Sequence, residues 1–268
     1  MKPVRYVRLD PTGNLTCLVL DPVTREEERE TTRRLMGECE QVAYLEPASL
    51  PGSRARIRLM GGEFCGNAAM AAACYLAEQD GVSGGGERTV PIEMSGAPGL
   101  LACAVKAGAD GFAGTVPMPP VRGIRRMEGE AYNLTAVSLD GIAHLILSGP
   151  PFPGDAEAEA LLRRLAEQRP EDAVGLLLWD EERETMRPLV LVKGSGTLVW
   201  ETGCGSGSAA VGAFLAARNG DGTTVTPVAQ PGGVIRVNAV CRNGAVESVS
   251  ISGAVRLGKE KVLVLADS

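Results

Sequence analysis

One segment of the chain occurs twice, and this repeat limits the folds that the sequence can adopt. Residues 64–81 read FCGNAAMAAACYLAEQDG, and residues 203–220 read GCGSGSAAVGAFLAARNG. Both copies start at Cys-Gly followed by Asn or Ser, and both continue through an Ala-rich run to a polar residue and Gly. Cys65 and Cys204 are 139 residues apart in a chain of 268. Two copies at half the chain length predict two related halves rather than a solenoid.

Each copy is predicted to be a helix. Ala and Leu are strong helix formers, and the polar residue followed by Gly is typical of a helix C-terminus. Asn67 and Ser206 are residue types that favour the N-cap position. Each cysteine is therefore expected at, or just before, a helix N-terminus. The scarcity of polar residues predicts a helix that is surrounded on many sides.

The rest of the chain is mostly predicted as strands and turns. A polar helix is predicted over residues 23–40, where Thr24 and Glu27 have the spacing of a capping box, and another over 155–168. Runs rich in Val, Ile and Leu, bounded by Gly, Pro or Asp, predict strands; examples are residues 15–20, 54–59, 137–147, 189–192, 234–240 and 246–251. The Pro-rich segment 116–120 is the best candidate for the connection between the halves.

Charge and cysteine usage exclude several classes of protein. The net charge is −6 and no dense Lys/Arg cluster occurs, so a nucleic-acid partner is not expected. The sequence contains no apolar stretch of about 18 residues, so a membrane helix is not expected. The N-terminus lacks the apolar core of a signal peptide, and together these features predict a cytoplasmic protein. Seven cysteines and one histidine, without a Cys-x-x-Cys pair, favour neither a disulfide scaffold nor a metal site.

The paired cysteines suggest acid–base chemistry. The positive end of a helix dipole lowers a thiol pKa, and the free N–H groups of the first turn bind carboxylates. Two such helix starts suit proton transfer at a carbon next to a carboxylate, in which one thiolate removes a proton and the opposite thiol returns one. Such a site needs no cofactor. The alternative is that both cysteines are packing residues kept in a duplicated core, as we expect for Cys17, Cys39, Cys74, Cys103 and Cys241.

The two cysteine motifs, Cys65-Gly66-Asn67-Ala68 and Cys204-Gly205-Ser206-Gly207, resemble those of the diaminopimelate epimerase-like family of cofactor-independent amino-acid racemases. Further matches follow in the same order along the chain: Thr12-Gly13-Asn14, Glu40-Gln41, Gly141-Ile142-Ala143-His144, Pro231-Gly232-Gly233 and Ser252-Gly253. The resemblance implies an α+β fold of two pseudo-symmetric halves, each a curved, mostly antiparallel sheet around a central Ala-rich helix, with the active site between them. We expect the halves to span residues 1–117 and 118–254, with a C-terminal strand at about 255–268 joining the first.

Two departures from the family pattern bear on the substrate. Diaminopimelate epimerases carry Glu-Arg-Gly ahead of the second motif, where this chain has Trp200-Glu201-Thr202-Gly203. The Asn-rich segment before the first motif is replaced by Met60-Gly61-Gly62-Glu63. Without these two segments, diaminopimelate would lack polar partners that the family provides. The sequences of the two cysteine motifs and their flanking residues resemble more closely the histidine racemases of metallophore pathways. A free amino acid, with histidine as the leading guess, is therefore the expected substrate.

By this resemblance, Cys65 and Cys204 are the two acid–base residues, and neither a metal nor another cofactor takes part. Glu201 is expected to hold the substrate ammonium or to tune Cys204, since a nearby carboxylate disfavours a thiolate. The substrate is expected to contact Asn14, Gln41, Gly66, Asn67, His144, Glu201, Gly205 and Ser206.

Three alternatives stay open: a diaminopimelate epimerase, a same-fold isomerase of a carboxylate that is not an amino acid, and a non-catalytic carboxylate-binding protein. The sequence also leaves a homodimer open.

Overall fold

The structure is a computed structural model that describes residues 2–128 and 131–265. The chain forms two compact units, one of residues up to 117 together with those from 252 onward, and one of residues 118–251. Of the predicted C-terminal strand, residues 266–268 lie outside the described residues.

The first unit is a sheet with two helices inserted. Its strands are adjacent in the order β1 to β7. Strand β1 also pairs antiparallel with the C-terminal strand β16 (Ala245–Leu265), from Lys2 opposite Leu265 to Pro11 opposite Val255. The pairs β2–β3 and β4–β5 are parallel because a helix lies between their strands in the chain. The elements are β1 (Lys2–Pro11), β2 (Thr16–Val19), α1 (Arg25–Leu35), β3 (Gln41–Glu46), β4 (Arg56–Leu59), α2 (Gly66–Gln79), β5 (Glu87–Met94), β6 (Leu100–Ala107) and β7 (Phe112–Pro117).

The second unit repeats this construction. The pairs β10–β11 and β12–β14 are parallel across helices α3 and α4, as in the first unit, and the other strand pairs whose register is described are antiparallel. Strand β13 is an addition that pairs with β12. The elements are β8 (Gly123–Arg126), β9 (Leu134–Ser138), β10 (Ile142–Ser148), α3 (Asp155–Ala166), β11 (Ala173–Asp180), β12 (Thr185–Val192), β13 (Thr197–Trp200), α4 (Gly205–Asn219), β14 (Gly222–Gln230), β15 (Gly233–Arg242) and β16 (Ala245–Leu265).

The two Ala-rich helices lie in the cores of their units. Every residue of α2 from Gly66 to Ala77 is buried, and the helix packs on β5, β6 and β7. Helix α4 packs on β14 and β15, so closely that a Cβ atom at Gly212 would lie 2.4 Å from Cγ1 of Val237. Small residues allow this approach of backbone to sheet. The predicted α+β fold, with an Ala-rich helix in a mostly antiparallel sheet, is confirmed.

Three local predictions differ from the structure. Helix α1 keeps the predicted capping box of Thr24 and Glu27 but ends at Leu35 rather than residue 40. The single strand expected over residues 137–147 is two strands, β9 and β10, joined by a turn at Gly141, which has φ of 82°. Asp-Gly is a strong turn signal, and the apolar residues on both sides concealed it. The helix N-caps are Cys65 and Cys204 themselves, not Asn67 and Ser206.

Among the described residues, no helix combines the length and apolar character that a membrane span would need.

Candidate active site

Cys65 ends an extended segment and caps α2. Its backbone is extended, with φ of −138° and ψ of 113°, and its side chain makes no capping hydrogen bond. The residue is half-buried, whereas Gly66 and Asn67, which follow it in the first turn, are buried. The first turn of a helix has N–H groups without intrahelical acceptors and carries a partial positive charge. This helix start is therefore suited to bind a carboxylate beside a thiol.

A tight turn holds the segment that leads into Cys65. The hydroxyl of Ser95 donates to the carbonyl oxygen of Glu63 at 2.7 Å and accepts from the backbone N–H of Leu59 at 3.0 Å. Gly96 has φ of 72°, and a Cβ atom there would lie 2.4 Å from the backbone nitrogen of Phe64. Only glycine fits this close approach, so the Ser95–Gly96 turn fixes the path of the chain into the helix.

The same unit brings together Asn14 and Gln41, two of the residues predicted to bind substrate. Gln41 Nε2 donates to Asn14 Oδ1 at 2.7 Å and to the Thr16 hydroxyl at 2.8 Å. Asn14 Nδ2 donates to a carboxylate oxygen of Glu40 at 2.8 Å. Thr12, just before this segment, has φ of 55°, which is unusual for a β-branched residue. The Asn14 amide is thus held in a fixed network that includes Glu40, a residue that we did not predict to bind substrate.

Cys204 likewise caps its helix, α4, and a set of hydrogen bonds holds it. Its backbone is extended, with φ of −105° and ψ of 107°, and its Sγ accepts from the N–H of Gly207 at 3.3 Å. Its own backbone N–H donates to Gln230 Oε1 at 2.7 Å, and its carbonyl oxygen accepts from the Ser208 hydroxyl at 2.8 Å. Gln230 Nε2 also donates to the Ser208 hydroxyl at 2.9 Å. Gln230 and Ser208 therefore fix the Cys204 backbone, and sequence reasoning identified neither.

Ser206 and His144 meet beside Cys204. Ser206 Oγ lies 3.6 Å from Cys204 Sγ and 2.9 Å from His144 Nε2. The His144 ring is fully buried on β10 and faces Gly175 on β11, where a Cβ atom would lie 2.3 Å from Nδ1. Nδ1 has no hydrogen-bond partner among the described residues.

The protonation state of His144 follows from this environment. Burial lowers its pKa to about 3, so the ring is neutral at pH 7 and carries one proton. A buried N–H without an acceptor is rarer than a buried acceptor without a donor, which favours the proton on Nε2. Nε2–H then donates to Ser206 Oγ, and the hydroxyl hydrogen of Ser206 is left to donate to Cys204 Sγ.

The pKa of Cys204 is the balance of opposing effects. Burial raises it well above its usual value, and the Glu201 carboxylate raises it further through its charge and a hydrogen bond. The Ser206 hydroxyl and the Gly207 N–H act in the opposite direction, since they stabilise a thiolate. The helix start lowers the pKa of Cys204 as expected, through the Gly207 N–H, but burial and Glu201 outweigh this effect and the net pKa is raised. The neighbouring carboxylate acts on Cys204 as the sequence suggested.

The structure thus groups the predicted residues within each unit. His144, Glu201, Cys204 and Ser206 lie together in the second unit, with Gly205 opening α4, whereas Cys65, Gly66 and Asn67 form the start of α2 in the first. In residues 2–128 and 131–265, no cluster of three or more His, Cys, Asp or Glu side chains could hold a metal ion.

A family profile covers almost the whole chain. The family described as "Histidine racemase CntK N-terminal domain" matches residues 3–261. The chain belongs to this family. The histidine racemase of Staphylococcus aureus is 26% identical, over 94% of this chain and 94% of its own length. The histidine racemase of Fusobacterium nucleatum is 27% identical, over 95% of this chain and 97% of its own length.

Solved structures share the fold of this CntK-family chain. A phenazine biosynthesis protein of the PhzF family from Bacillus anthracis has a TM-score of 0.75 and 15% identity, over 99% of this chain and 100% of its own. A hydroxyproline epimerase from Agrobacterium vitis has a TM-score of 0.71 and 15% identity, over 99% of this chain and 93% of its own. The resemblance to epimerases and the enzyme class predicted from it, an amino-acid racemase, are confirmed.

Proposed function

We propose that this protein racemises free histidine by a two-base mechanism in which Cys65 and Cys204 are the acid–base groups. The observation that carries the proposal is that both cysteines occupy the same position, the extended N-cap of a buried Ala-rich helix. Histidine as substrate rests on the family and on the two curated histidine racemases. The mechanism requires that both sulfur atoms reach one substrate α-carbon from opposite faces.

The proton inventory of one turnover is balanced. One cysteine, as thiolate, takes the α-proton, and the electron pair of the broken C–H bond moves onto the substrate carboxylate. The other cysteine, as thiol, then protonates the α-carbon from the opposite face. At the end the two sulfurs have exchanged protonation states, and a proton must return before the next turnover in the same direction. The helix-start N–H groups hold the carboxylate as its negative charge grows.

Residues of the second unit control the protonation state of the Cys204 thiol. In the free protein, burial and Glu201 favour the thiol form of Cys204. A turnover that starts from this form uses Cys204 as the proton donor. Glu201 accepts the thiol proton when Cys204 must act as base. The Ser206 hydroxyl, held by His144, stabilises the thiolate during that step.

The first unit supplies polar groups for the rest of the substrate. The Asn14 amide is already engaged by Gln41 and Glu40, so we assign it the role of holding the Glu40 carboxylate in place. A fixed carboxylate suits the substrate ammonium group. This modifies the direct contact between Asn14 and substrate expected from the sequence.

Loss of the α-proton signal in D2O tests the proposal. Reduced protein is incubated with L-histidine, other L-amino acids and meso-diaminopimelate, and each reaction is followed by proton NMR and chiral chromatography. Exchange and D-histidine formation are expected for the wild type, and D-histidine formation is expected to be lost in both Cys65→Ser and Cys204→Ser. Cys74→Ala is the matched control, because Cys74 lies within the same Ala-rich α2 and Ala keeps the helix.

Each other result contradicts a separate part of the proposal. Exchange of another amino acid but not of histidine would contradict histidine as the substrate and would still support a racemase. Formation of D-histidine that survives in either cysteine variant would overturn the two-base mechanism. Binding of histidine without exchange would indicate a carboxylate-binding protein.

A further inference from the structure

A cleft of about 930 Å³ lies on the first unit, lined by helix α1 and strands β3 and β4 and containing none of the residues assigned to the reaction. Three arginines of α1, Arg25, Arg29 and Arg33, line it together with Arg58 and Met60. Its volume is within the range of small-molecule sites, about 300–1,000 Å³.

The acidic side chains of this cleft are already paired. Arg58 binds both carboxylate oxygens of Glu28, at 2.9 and 3.0 Å, and donates to Glu46 at 2.6 Å. Arg56 lies 3.4 Å from Glu46. The Arg58 guanidinium is also stacked on Tyr44, 4.9 Å from the ring centre. Two arginines thus neutralise the two glutamates that line the cleft.

The arginines of α1 carry more positive charge than the neighbouring carboxylates neutralise. Arg33 pairs with Glu30, but Arg25 and Arg29 are exposed and make no ion pair among the described residues. Of the remaining acidic residues of α1, neither Glu26 nor Glu27 lines the cleft, and Glu27 pairs with Lys2.

The spacing of these arginines is unfavourable for α1, although the acidic residues of its first turn and the basic residues of its last turn suit the helix dipole. Arg25, Arg29 and Arg33 follow one another at intervals of four, so their side chains share a face, and like charges at this spacing destabilise a helix. Arg25 is also the first residue of α1, where the positive end of the helix dipole disfavours a cation. An anion in the cleft would remove both penalties.

We propose that this cleft binds a small molecule that carries at least two negative charges on phosphate or carboxylate oxygens. Guanidinium groups bind such oxygens with paired, charge-assisted hydrogen bonds. The net charge of −6 disfavours an extended polyanion such as a nucleic acid, whereas a small ligand meets only the local surplus of positive charge. The proposal is independent of the racemase mechanism, because none of its residues takes part in that mechanism.

Calorimetric titration of the full chain tests this site. The probes are inorganic phosphate and citrate, with acetate as the single-charge comparison, all at one ionic strength. In Arg25→Gln/Arg29→Gln, the affinity for the tighter-binding polyanion is expected to fall about tenfold or more, since two charge-assisted contacts are lost. The control is Arg8→Gln/Arg163→Gln, which removes the same charge from two exposed arginines outside the cleft that have no ion pair among the described residues.

The control is expected to bind within a factor of about two of the wild type, since the cleft is unchanged, and acetate is expected to bind neither protein. Preference for phosphate or for citrate would identify which oxyanion the ligand carries, and either preference supports the proposal. The proposal is overturned if neither polyanion binds the wild type, if acetate binds as well as they do, or if both double variants lose affinity equally.

Discussion

His144 Nε2 lies 2.9 Å from the hydroxyl oxygen of Ser206, and this contact sets the direction in which Ser206 can donate. The ring is neutral and fully buried, with its other nitrogen against Gly175. Because Nε2 carries the proton, the Ser206 hydrogen is directed away from His144. The nearest acceptor described for it is Cys204 Sγ, at 3.6 Å. A buried histidine therefore acts on the thiol through a serine.

The first prediction is that Ser206→Ala slows racemisation and moves its pH profile. Without the hydroxyl, the pKa of Cys204 rises further, because one of the groups that lower it is lost. The limb of the rate profile that requires the Cys204 thiolate should move to higher pH. The rate at neutral pH should fall about 10- to 100-fold, as expected for a lost hydrogen bond to a charged group. Initial rates from pH 6 to 10, measured from L-histidine and from D-histidine, cover the direction in which Cys204 is the base and measure both effects.

Ser206→Thr is the conservative control, because it keeps the hydroxyl beside Cys204. Its pH profile should follow the wild type even if its rate is lower. A Ser206→Ala profile that coincides with the wild type would show that the hydroxyl only packs against the thiol.

The second prediction concerns Glu201 and the reactivity of Cys204. In Glu201→Gln the negative charge near the thiol is removed, so the pKa of Cys204 should fall, although burial still holds it above its usual value. Alkylation of Cys204 by iodoacetamide should then begin at lower pH than in the wild type. Peptide mass spectrometry across a pH series measures the modified fraction. Glu182→Gln, an exposed carboxylate after β11, should leave the alkylation curve unchanged; a shift there would indicate a general charge effect.

The third prediction is that Gly175→Ala destabilises the second unit. The new Cβ atom would lie 2.3 Å from Nδ1 and 2.8 Å from Cε1 of His144, whose ring is buried and fixed through Ser206. Overpacking of this kind typically costs about 1–3 kcal/mol. Urea denaturation measures the change.

Gly123→Ala is the matched control for that substitution. Gly123 is also a strand residue with negative φ, and its Cβ atom would have no heavy atom within 4 Å. Its stability should stay near the wild type or rise by about 0.4–1 kcal/mol through the unfolded chain. Equal losses in both variants would mean that the His144 contact is not the cause.

The sequence contains a clear signal for the two buried helices and a weaker one for the full duplication. The Ala-rich runs that begin with Cys-Gly could be recognised in the sequence, because a helix without polar residues must be buried in the core. The duplication extends to β2–α1–β3 and β10–α3–β11, two parallel pairs that cross over through a helix. These segments share little sequence, because strands require only apolar residues at suitable positions. Self-similarity was therefore visible only where the backbones pack closely.

The contacts around the candidate site depend on pairings that are distant in sequence. Gly175 faces His144 through the register of two parallel strands, and Gln230 reaches the Cys204 backbone from β14. No local pattern marks either residue. Glu40 was visible as the neighbour of Gln41, but its bond to Asn14 depends on how β2 and β3 align. Residue types at helix starts could be predicted, whereas the groups that hold them could not.

The last prediction concerns acid stability and Glu93 on β5. This side chain is 7% exposed, accepts backbone N–H groups of Ser49 and Leu50 at 2.8 and 3.0 Å, and accepts the Ser49 hydroxyl. These bonds lower its pKa from 4.5 to about 2. Because the folded pKa lies below the unfolded one, the stabilisation is complete above about pH 4.5 and is lost as the pH falls toward 2. Glu93→Gln should therefore lower the urea midpoint at pH 7, and its curve should approach the wild type between pH 4.5 and 3. Glu87→Gln, an exposed residue of the same strand, should lower the midpoint less at pH 7. Parallel curves for wild type and Glu93→Gln would contradict the assignment.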